Sequence, residues 1–324
     1  MNWLITGGAG YIGSHIAGQA ISSGIDIAVL DDLSTGISSR LSQSIPLKQI
    51  SLQDSGAVDK VFETHNISGV LHLAAKKQVG ESVERPDYYW QENVGGLQNL
   101  LAAMKTHNVK NFVFSSSAAV YGQPDVPNGT LITEETPCIP INPYGATKLE
   151  GEVLSRAMAE SNGLKVAALR YFNVAGAGRP ELGDQYAFNL VPIVFDALDR
   201  EVQPIVFGND YSTPDGSCIR DYVHVEDLAN AHVAAMDFVE NSEAGFTAIN
   251  IGTGLGSSVF EVLSVIQEAT GISIDPIIGH RRQGDPAALV ADVSFAKDVL
   301  GWQSSRDLSD IVTSAWDAWQ LGHK

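Results

Sequence analysis

The segment that most restricts the fold of this chain is its glycine-rich beginning. A short apolar run, residues 3–5, leads into Gly7, and a G-x-x-G-x-x-G pattern continues through Gly10 to Gly13. An amphipathic helix is predicted for residues 11–23. Glycines permit a tight turn whose backbone amides approach a pyrophosphate, and the helix N-terminus directs its positive dipole at the phosphates. The segment predicts a dinucleotide-binding unit, although a glycine string alone also occurs in plain tight turns.

A carboxylate in the right place strengthens this interpretation. The second predicted strand ends at Asp31, 18 residues after Gly13. A carboxylate at this position binds the hydroxyls of the adenosine ribose and repels a 2′-phosphate. The order of strand, loop, helix and acid therefore favours NAD over NADP as the cofactor. Asp32 is the alternative contact if the strand ends one residue later.

Short apolar runs alternate with amphipathic stretches through the first half of the chain. The runs cover residues 3–5, 25–30, 70–73, 112–114 and 166–169, and the predicted helices cover residues 11–23, 55–66, 87–107 and 143–162. Most runs are unbroken rather than alternating, as expected for strands that are covered on both faces. We therefore predict an α/β fold with a Rossmann-type, doubly wound parallel sheet.

The pattern changes after Asn173. Residues 174–222 are rich in Gly, Pro and Asp and have weak periodicity, whereas residues 225–239 and 258–270 read as helices and residues 246–251 as a strand. We predict an NAD-binding domain over residues 1–173 and a smaller C-terminal α/β domain for the substrate over residues 174–324. Residues 225–250 are predicted to return to the first domain.

Charge and hydropathy exclude several classes of function. The net charge is −18, with only 20 lysines and arginines among 324 residues, and such a field repels nucleic acid and anionic membranes. A phosphorylated ligand would need local arginines to offset this repulsion. No stretch of about 18 apolar residues is present, and the N-terminus lacks the pattern of a signal peptide.

Cysteine and histidine usage points in the same direction. Cys138 and Cys218 are the only cysteines, so no disulfide framework is expected and a reducing cytoplasm is predicted. The eight histidines are scattered, without H-E-x-x-H spacing, and no metal site is predicted. His15 and His232 fall within predicted helices, where a structural role is expected.

A serine, a tyrosine and a lysine form a candidate catalytic group. Ser117 closes a run of three serines after the strand at residues 112–114, and ligands sit at the carboxyl ends of strands in an open parallel sheet. Tyr144 and Lys148 are four residues apart and so share one helix face. A nearby ammonium lowers the pKa of a tyrosine, which otherwise lies near ~10, and makes its phenolate a usable base. Such a Tyr–Lys pair also arises by chance on amphipathic helices.

Together with the glycine loop, this group makes the chain resemble the extended short-chain dehydrogenase/reductase family over nearly its whole length. Within that family the chain is similar to the members that epimerise UDP-linked hexoses at C4. The matching stretches are TGGAGYIGSH (6–15), VGESVERP (79–86), FVFSSSAAVYG (112–122), NPYGATK (142–148), LRYFNVAGA (169–177), FGNDYSTPDG (207–216), IRDYVHVEDLA (219–229) and RRQGD (281–285).

The resemblance implies a role for individual residues. The implied catalytic residues are Ser117, Tyr144 as the base, and Lys148, which also holds the nicotinamide ribose and lowers the pKa of Tyr144. The implied cofactor-binding residues are Gly7, Gly10, Tyr11, Ile12, Gly13, Asp31, Asp32, Ser51, Leu52, Lys77, Asn93, Lys148 and Tyr171. The implied substrate-binding residues are Ser117, Tyr144, Asn173, Asn189, Phe207, Arg220, Arg282 and Asp285.

Two of these residues would offset the repulsion between the acidic chain and a phosphorylated ligand. Arg220 and Arg282 would clamp the UDP pyrophosphate, because a guanidinium fork fits phosphate oxygens. Without the resemblance, an ion pair between Arg220 and Asp221 is the simpler expectation.

The resemblance also implies a reversible reaction without net redox change. Tyr144 removes the C4 hydroxyl proton while NAD takes the C4 hydride, the 4-keto sugar rotates, and hydride returns to its opposite face. UDP-glucose and UDP-galactose are thereby interconverted. A homodimer is implied as well, formed through the helices at residues 87–107 and 143–162.

The chain departs from the family pattern at two positions. Gly-Asp usually follows the third strand and meets adenine, whereas Ser51 and Leu52 stand here. Leu289 occupies the position of a bulky tyrosine that limits the sugar pocket. The smaller side chain predicts that the N-acetylated sugars UDP-GlcNAc and UDP-GalNAc are also accepted.

Three alternative functions share parts of this sequence pattern. A 4,6-dehydratase of the same family is disfavoured, because Ala118 and Ala119 stand where dehydratases place acids. A UDP-glucuronate 4-epimerase stays open. A non-catalytic, NAD-sensing regulatory protein is disfavoured because both Tyr144 and Lys148 are present.

Overall fold

A computed structural model describes residues 2–127, 129–282 and 284–322 of the chain. Within these residues lie thirteen strands: β1 (Asn2–Thr6), β2 (Asp26–Asp31), β3 (Leu47–Gln49), β4 (Ile67–His72), β5 (Asn111–Ser115), β6 (Lys165–Tyr171), β7 (Asn173–Ala175), β8 (Ile205–Phe207), β9 (Ile219–His224), β10 (Gly245–Ile251), β11 (Gly256–Ser258), β12 (Ile277–Gly279) and β13 (Ala288–Leu289). Eleven α-helices accompany them: α1 (Tyr11–Ser22), α2 (Ser55–Thr64), α3 (Val79–Glu84), α4 (Pro86–Tyr89), α5 (Gly96–Thr106), α6 (Pro143–Asn162), α7 (Leu190–Asp199), α8 (Val225–Asn241), α9 (Val259–Thr270), α10 (Ser294–Leu300) and α11 (Leu308–Gly322).

Seven of the strands form one parallel sheet in the order β10-β6-β5-β4-β1-β2-β3. The chain starts in the middle at β1, moves outward to β3 and then crosses to β4 on the other side. Helices cover both faces, which is why the strands are apolar on both sides. The predicted Rossmann-type, doubly wound sheet is confirmed.

Two apolar layers sandwich this sheet. On one face α1 and α8 pack through residues such as Ile16 and Met236, and on the other α2 and α5 pack through Phe62 and Leu100. These side chains are almost fully buried, so the layers fix the position of each strand end. The carboxyl ends of β1, β2, β4, β5 and β6 therefore form one rigid edge.

A smaller unit holds the rest of the chain. Strand β9 pairs with β7, β11 and β13, and β8 pairs with β12. A third core, which includes Phe195, Val262 and Trp319, packs α7, α9 and α11 together. The predicted smaller C-terminal α/β part is confirmed, and β10 lies in the main sheet, beside β6.

The predicted helix at residues 87–107 is continuous but is not α-helical throughout. It is α4, a π-helical turn (Trp90–Gly95) and α5. The widened turn coincides with a specific contact, because the Asn93 side chain accepts from the Lys76 amide at 2.7 Å and donates to the Lys76 carbonyl at 3.0 Å. Such turns are frequent at functional sites.

Residues 174–222 are more regular than their composition predicts. They contain α7 and the strands β7, β8 and the first part of β9. Periodicity did not reveal them because β7 and β8 have three residues each, too few to show an alternation. Pro192 lies in the first turn of α7, where a proline costs no helical hydrogen bond. No helix of the described residues is long and apolar enough to cross a membrane.

Candidate active site

The glycine loop is built so tightly that side chains are excluded from it. Gly7 has a φ of +72°, and a Cβ added there would lie 2.7 Å from the Ala74 amide nitrogen. A Cβ at Gly13 would lie 2.2 Å from the Gly7 carbonyl oxygen. The loop leaves a cavity against the start of α1 that is lined by Gly7, Gly10, Tyr11, Ile12 and Gly13. Backbone amides and a helix N-terminus thus face an open space, as a pyrophosphate requires.

Asp31 lies at the end of β2 and lines the same cavity. Its two carboxylate oxygens accept hydrogen bonds from the Ala9 and Leu33 amides, both at 2.9 Å. Burial raises the pKa of Asp31, and these two hydrogen bonds oppose the shift. Asp32 also lines the cavity, while its carboxylate accepts from the Ser34 amide. The two acids place negative charge beside the space that a ribose would occupy.

The far wall consists of the segments that follow β3 and β4. Ser51 and Leu52 come from the first segment, and Lys77 from the second. The Ser51 hydroxyl accepts from the Gln53 amide at 3.2 Å, so it shapes its own turn. Asn93 does not line the cavity; it is buried and holds Lys76, which does.

Tyr144, Lys148 and Tyr171 also line this cavity. Helix α6 starts at Pro143 because the Asn142 side chain accepts from the Gly145 amide at 2.8 Å, a local N-cap. Lys148 is buried, and its Nζ donates to the Ser115 carbonyl at 2.8 Å and lies 5.9 Å from the centre of the Tyr144 ring. Burial lowers the pKa of Lys148 to about 8.

Two influences act on the pKa of Tyr144 in the described structure. Burial raises the pKa of Tyr144, and a hydrogen bond with Ser117 opposes the rise. Lysine and phenol share a helix face, but the ammonium turns to a backbone carbonyl instead of the phenol oxygen. Ser117 therefore contacts Tyr144 although it does not itself line the cavity.

Most of the predicted substrate residues lie outside this cavity. Arg220 lies on β9 and forms an ion pair with Asp285 at 3.4 Å, while one of its nitrogens donates to the Pro286 carbonyl at 2.9 Å. The Arg282 guanidinium stacks on Phe207 at 4.0 Å from the ring centre. The structure thus brings these four residues together in two pairs, in the smaller unit.

The alternative pairing of Arg220 with Asp221 does not occur. The Asp221 carboxylate is buried and accepts from Thr253 and Gly254 instead. Asn173 opens β7, and Asn189 precedes α7 without capping it through its side chain. Neither asparagine lines the cavity.

Several cavity residues escaped the sequence reasoning. They are Ser34, Thr35 and Gly36 after β2, Arg40, the residues 73–76 after β4, and Asp184, Tyr186 and Phe188 from the smaller unit. Residues that directly follow β2 and β4 could have been found from the rule that ligands sit at strand ends. Arg40 and Asp184 carried no such signal, because 143 residues separate Arg40 from Gly183, whose carbonyl it binds at 2.6 Å.

Comparison with known proteins identifies the family of the chain. Residues 3–252 match the NAD dependent epimerase/dehydratase family. The chain belongs to this family. A UDP-glucose 4-epimerase of Halalkalibacterium halodurans is 43% identical over 99% of this chain and 96% of its own length.

Two solved structures extend the similarity to the fold. The UDP-glucose 4-epimerase from Brucella ovis in complex with NAD superposes with a TM-score of 0.92 at 40% identity, covering 98% of each chain. The UDP-glucose 4-epimerase from Bifidobacterium longum in complex with NAD+ and UDP gives a TM-score of 0.90 at 36% identity, covering 99% of this chain and 98% of that one. The predicted resemblance to the family is confirmed.

Proposed function

We propose that this protein interconverts UDP-glucose and UDP-galactose by NAD-dependent epimerisation at C4. The observation that carries the proposal is the shared cavity: the glycine loop and Asp31 line it together with Tyr144, Lys148 and Tyr171. A dinucleotide laid along this cavity would bring its reactive end to a tyrosine that can exchange a proton. The epimerase names of the full-length relatives support this choice of reaction.

The cavity fits NAD in shape and in charge. Its loop leaves no room for a Cβ at Gly7 or Gly13, and Asp31, which lines the cavity, would bind a ribose diol and repel a 2′-phosphate. We assign the phosphates to the amides of the loop and the nicotinamide ribose to Lys148. Bound NAD supplies a hydride acceptor, a hydride donor once reduced, and a positive charge next to Tyr144.

Tyr144 and Ser117 perform the proton transfer in this proposal. Ser117 and Tyr144 hydrogen-bond to each other, so both can hold the same oxygen of the sugar at C4. Tyr144 accepts the hydroxyl proton as the C4 hydride leaves, and returns a proton to that oxygen when hydride adds to the other face. Ser117 holds the oxygen in both steps, which keeps it within reach while the sugar turns.

The sequence after Ser117 favours epimerisation over elimination of water. Ala118 and Ala119 begin a short 3-10 helix there, and Ala118 is buried in an apolar cluster with Val120 and Tyr121. An acid–base pair for removing a C5 proton and a C6 hydroxyl is therefore missing from this part of the site. This favours the 4-epimerases over the 4,6-dehydratases of the family.

Arg220 and Arg282 are proposed to hold the UDP group. They lie in the smaller unit, partnered by Asp285 and Phe207, and a guanidinium can exchange such partners for phosphate oxygens. Asn173 and Asn189 are assigned to the substrate as well. Firm contacts to UDP together with few contacts to the sugar would let the 4-keto sugar rotate between the two hydride transfers.

The substrate range is proposed to include N-acetylated sugars. Leu289 lies on β13, paired with Arg220 of β9, and is only partly buried. A leucine there leaves more space than a tyrosine. UDP-GlcNAc and UDP-GalNAc are therefore expected as additional substrates.

We propose an NAD-binding domain at residues 1–173, joined by residues 225–250, and a UDP-sugar domain over the rest of 174–324. A cytoplasmic homodimer is proposed through α6 and the α4–α5 segment. The exposed side chains of Trp90 and Val153 on these elements support an interface.

Purified protein with NAD, incubated separately with UDP-galactose, UDP-GalNAc and UDP-glucuronate, tests the function. Anion-exchange chromatography of the products should show UDP-glucose from the first sugar and UDP-GlcNAc from the second. Conversion of UDP-glucuronate alone would replace the proposed substrate. A lack of reaction with all three, in protein that binds NAD, would refute the epimerase assignment but not the cofactor.

A further inference from the structure

A buried ion pair links the segment before Ser117, the helix that carries Tyr144 and Lys148, and the strand that ends at Tyr171. Glu152 lies on α6 and Arg170 on β6, and their side chains are 4% and 6% exposed. The guanidinium contacts the carboxylate through two parallel hydrogen bonds, Nε to Oε1 at 2.9 Å and Nη2 to Oε2 at 2.6 Å. This bidentate geometry fixes both the distance and the angle between the helix and the strand.

The third element joins through Ser116. Its buried hydroxyl donates to Oε1 of Glu152 at 2.5 Å. Ser116 directly precedes Ser117, so Glu152 holds the backbone from which the Ser117 hydroxyl projects. Arg170 directly precedes Tyr171, which lines the cavity.

Glu152 also shares a helix face with the catalytic residues. Tyr144, Lys148 and Glu152 follow each other at intervals of four residues on α6, so they form one row along the helix. Lys148 fixes this row to β5 through the Ser115 carbonyl. Glu152 fixes it one turn further along, and the two anchors together determine how α6 is rotated and shifted against the strand ends.

The pair is itself held in place from outside. Arg170 Nη1 donates to the Tyr121 hydroxyl at 3.0 Å and to the Glu134 carbonyl at 3.2 Å. The Tyr121 hydroxyl in turn donates to Asn250 on β10. Each nitrogen of the Arg170 guanidinium therefore donates a hydrogen bond, which keeps the guanidinium in one orientation.

From this geometry we infer that Glu152 and Arg170 are positioning residues: through Ser116 and α6 they set the placement of the Ser117 hydroxyl against the Tyr144 phenol. The inference rests on the proposed function. Stability alone is a weak reason for such a pair, because apolar residues of similar volume commonly replace a buried ion pair without loss of stability. The rate of proton transfer, in contrast, depends strongly on how accurately the reacting groups are placed, and a displacement of about 1 Å is enough to lower it.

The double variant Glu152→Leu/Arg170→Met separates positioning from stability. It replaces the pair by apolar side chains of similar size, so it should fold, bind NAD and unfold at a similar denaturant concentration. With UDP-galactose as substrate, we expect kcat to fall about 10- to 100-fold while KM changes less than about twofold. Arg156→Met, an exposed arginine on the same helix that stacks on Phe246, is the control and should leave kcat unchanged.

A second readout does not depend on turnover. Because the hydrogen bond from Ser117 lowers the pKa of Tyr144, a displaced Ser117 should let that pKa rise. NMR titration of the NAD-bound protein with labelled tyrosine rings measures it in wild type and variant. If the wild type converts none of the sugars, the proposed function has failed, and this titration still decides the positioning inference.

Ser116→Ala gives a test that leaves the ion pair intact. It removes one hydrogen bond to Glu152 and no charge, so folding should be preserved even if the double variant fails to fold. We expect kcat to fall about tenfold and the Tyr144 pKa to rise in the same direction. Unchanged kcat and an unchanged Tyr144 titration in Ser116→Ala, or in a folded double variant, would overturn the inference.

Discussion

Replacing Lys148 by methionine should stabilise the cofactor-free protein at neutral pH while abolishing its activity. Burial lowers the pKa of this lysine from 10.5 to about 8, and a difference of one pKa unit corresponds to about 1.4 kcal/mol. The buried charge therefore costs about 3 kcal/mol at neutral pH. Methionine keeps the length of the side chain but leaves the Ser115 carbonyl without its donor, a loss of about 1 to 2 kcal/mol. We expect a net gain of about 1 to 2 kcal/mol in the free energy of unfolding.

The gain in the free energy of unfolding should depend on pH in a way that identifies its cause. The folded-state pKa is lower than the unfolded one, so between pH 8 and 10.5 the unfolded state binds more protons and wild-type stability rises with pH. The difference between variant and wild type should therefore shrink by about 2 kcal/mol from about pH 7 to about pH 9.5. Groups present in both proteins cancel in this difference.

Urea unfolding of both proteins without NAD, followed by tryptophan fluorescence across this pH range, measures the effect. Lys110→Met is a matched control, because Lys110 Nζ also donates to a carbonyl, that of Asn162 at 2.6 Å, but from a half-exposed position. A stability difference that stays constant with pH for Lys148→Met would refute the reasoning. It would mean that Lys148 is solvated or paired in solution.

Four further outcomes are expected. Burial lowers the pKa of four histidines to about 3 or 4: His15, His72, His224 and His232. The unfolded state therefore takes up protons first, and the free energy of unfolding falls by about 1.4 kcal/mol per pH unit for each histidine as the pH drops from about 6.5 towards these values. Urea unfolding at decreasing pH should show this fall, and a flat profile would contradict it. Tyr144→Phe should lower kcat by more than about 10²-fold with NAD affinity retained, and a kcat near wild type would remove Tyr144 as the base. Arg40→Met should weaken NAD binding about tenfold by calorimetry, because the buried guanidinium lines the cavity with its Nε unpartnered; an unchanged affinity would leave Arg40 structural. Leu289→Tyr should slow UDP-GalNAc turnover more than UDP-galactose turnover, and equal effects on both would argue against a pocket wall at this position.

Local sequence patterns predicted the parts of the site that local physics controls. The glycine spacing at residues 7–13 is required by close contacts within the same loop and with the segment that follows β4. Asp31 follows from the end of β2, and the Tyr144–Lys148 pair from the pitch of α6. Each of these features depends on residues that are near in sequence, or on the rule that parallel strands end at one edge.

The sequence did not predict features that depend on how distant elements meet. The π-helical turn at Trp90–Gly95 accommodates the contact of Asn93 with Lys76, and a helical periodicity does not contain that contact. The direction of the Lys148 ammonium was also decided by packing, because a carbonyl of β5 lay within its reach.

By itself, then, the sequence determined the cofactor loop, the alternation of strands and helices along the first half of the chain and the residues available for proton transfer, because steric limits and periodicity act over a few residues. Only the tertiary structure decided that Arg40 and Asp184, from segments far apart in the chain, share one cavity wall. It also decided that Glu152 meets Ser116 and Arg170 inside the core. These contacts join residues that are distant along the chain. The packing of α6 on the sheet sets their geometry, and no local sequence pattern predicts that packing.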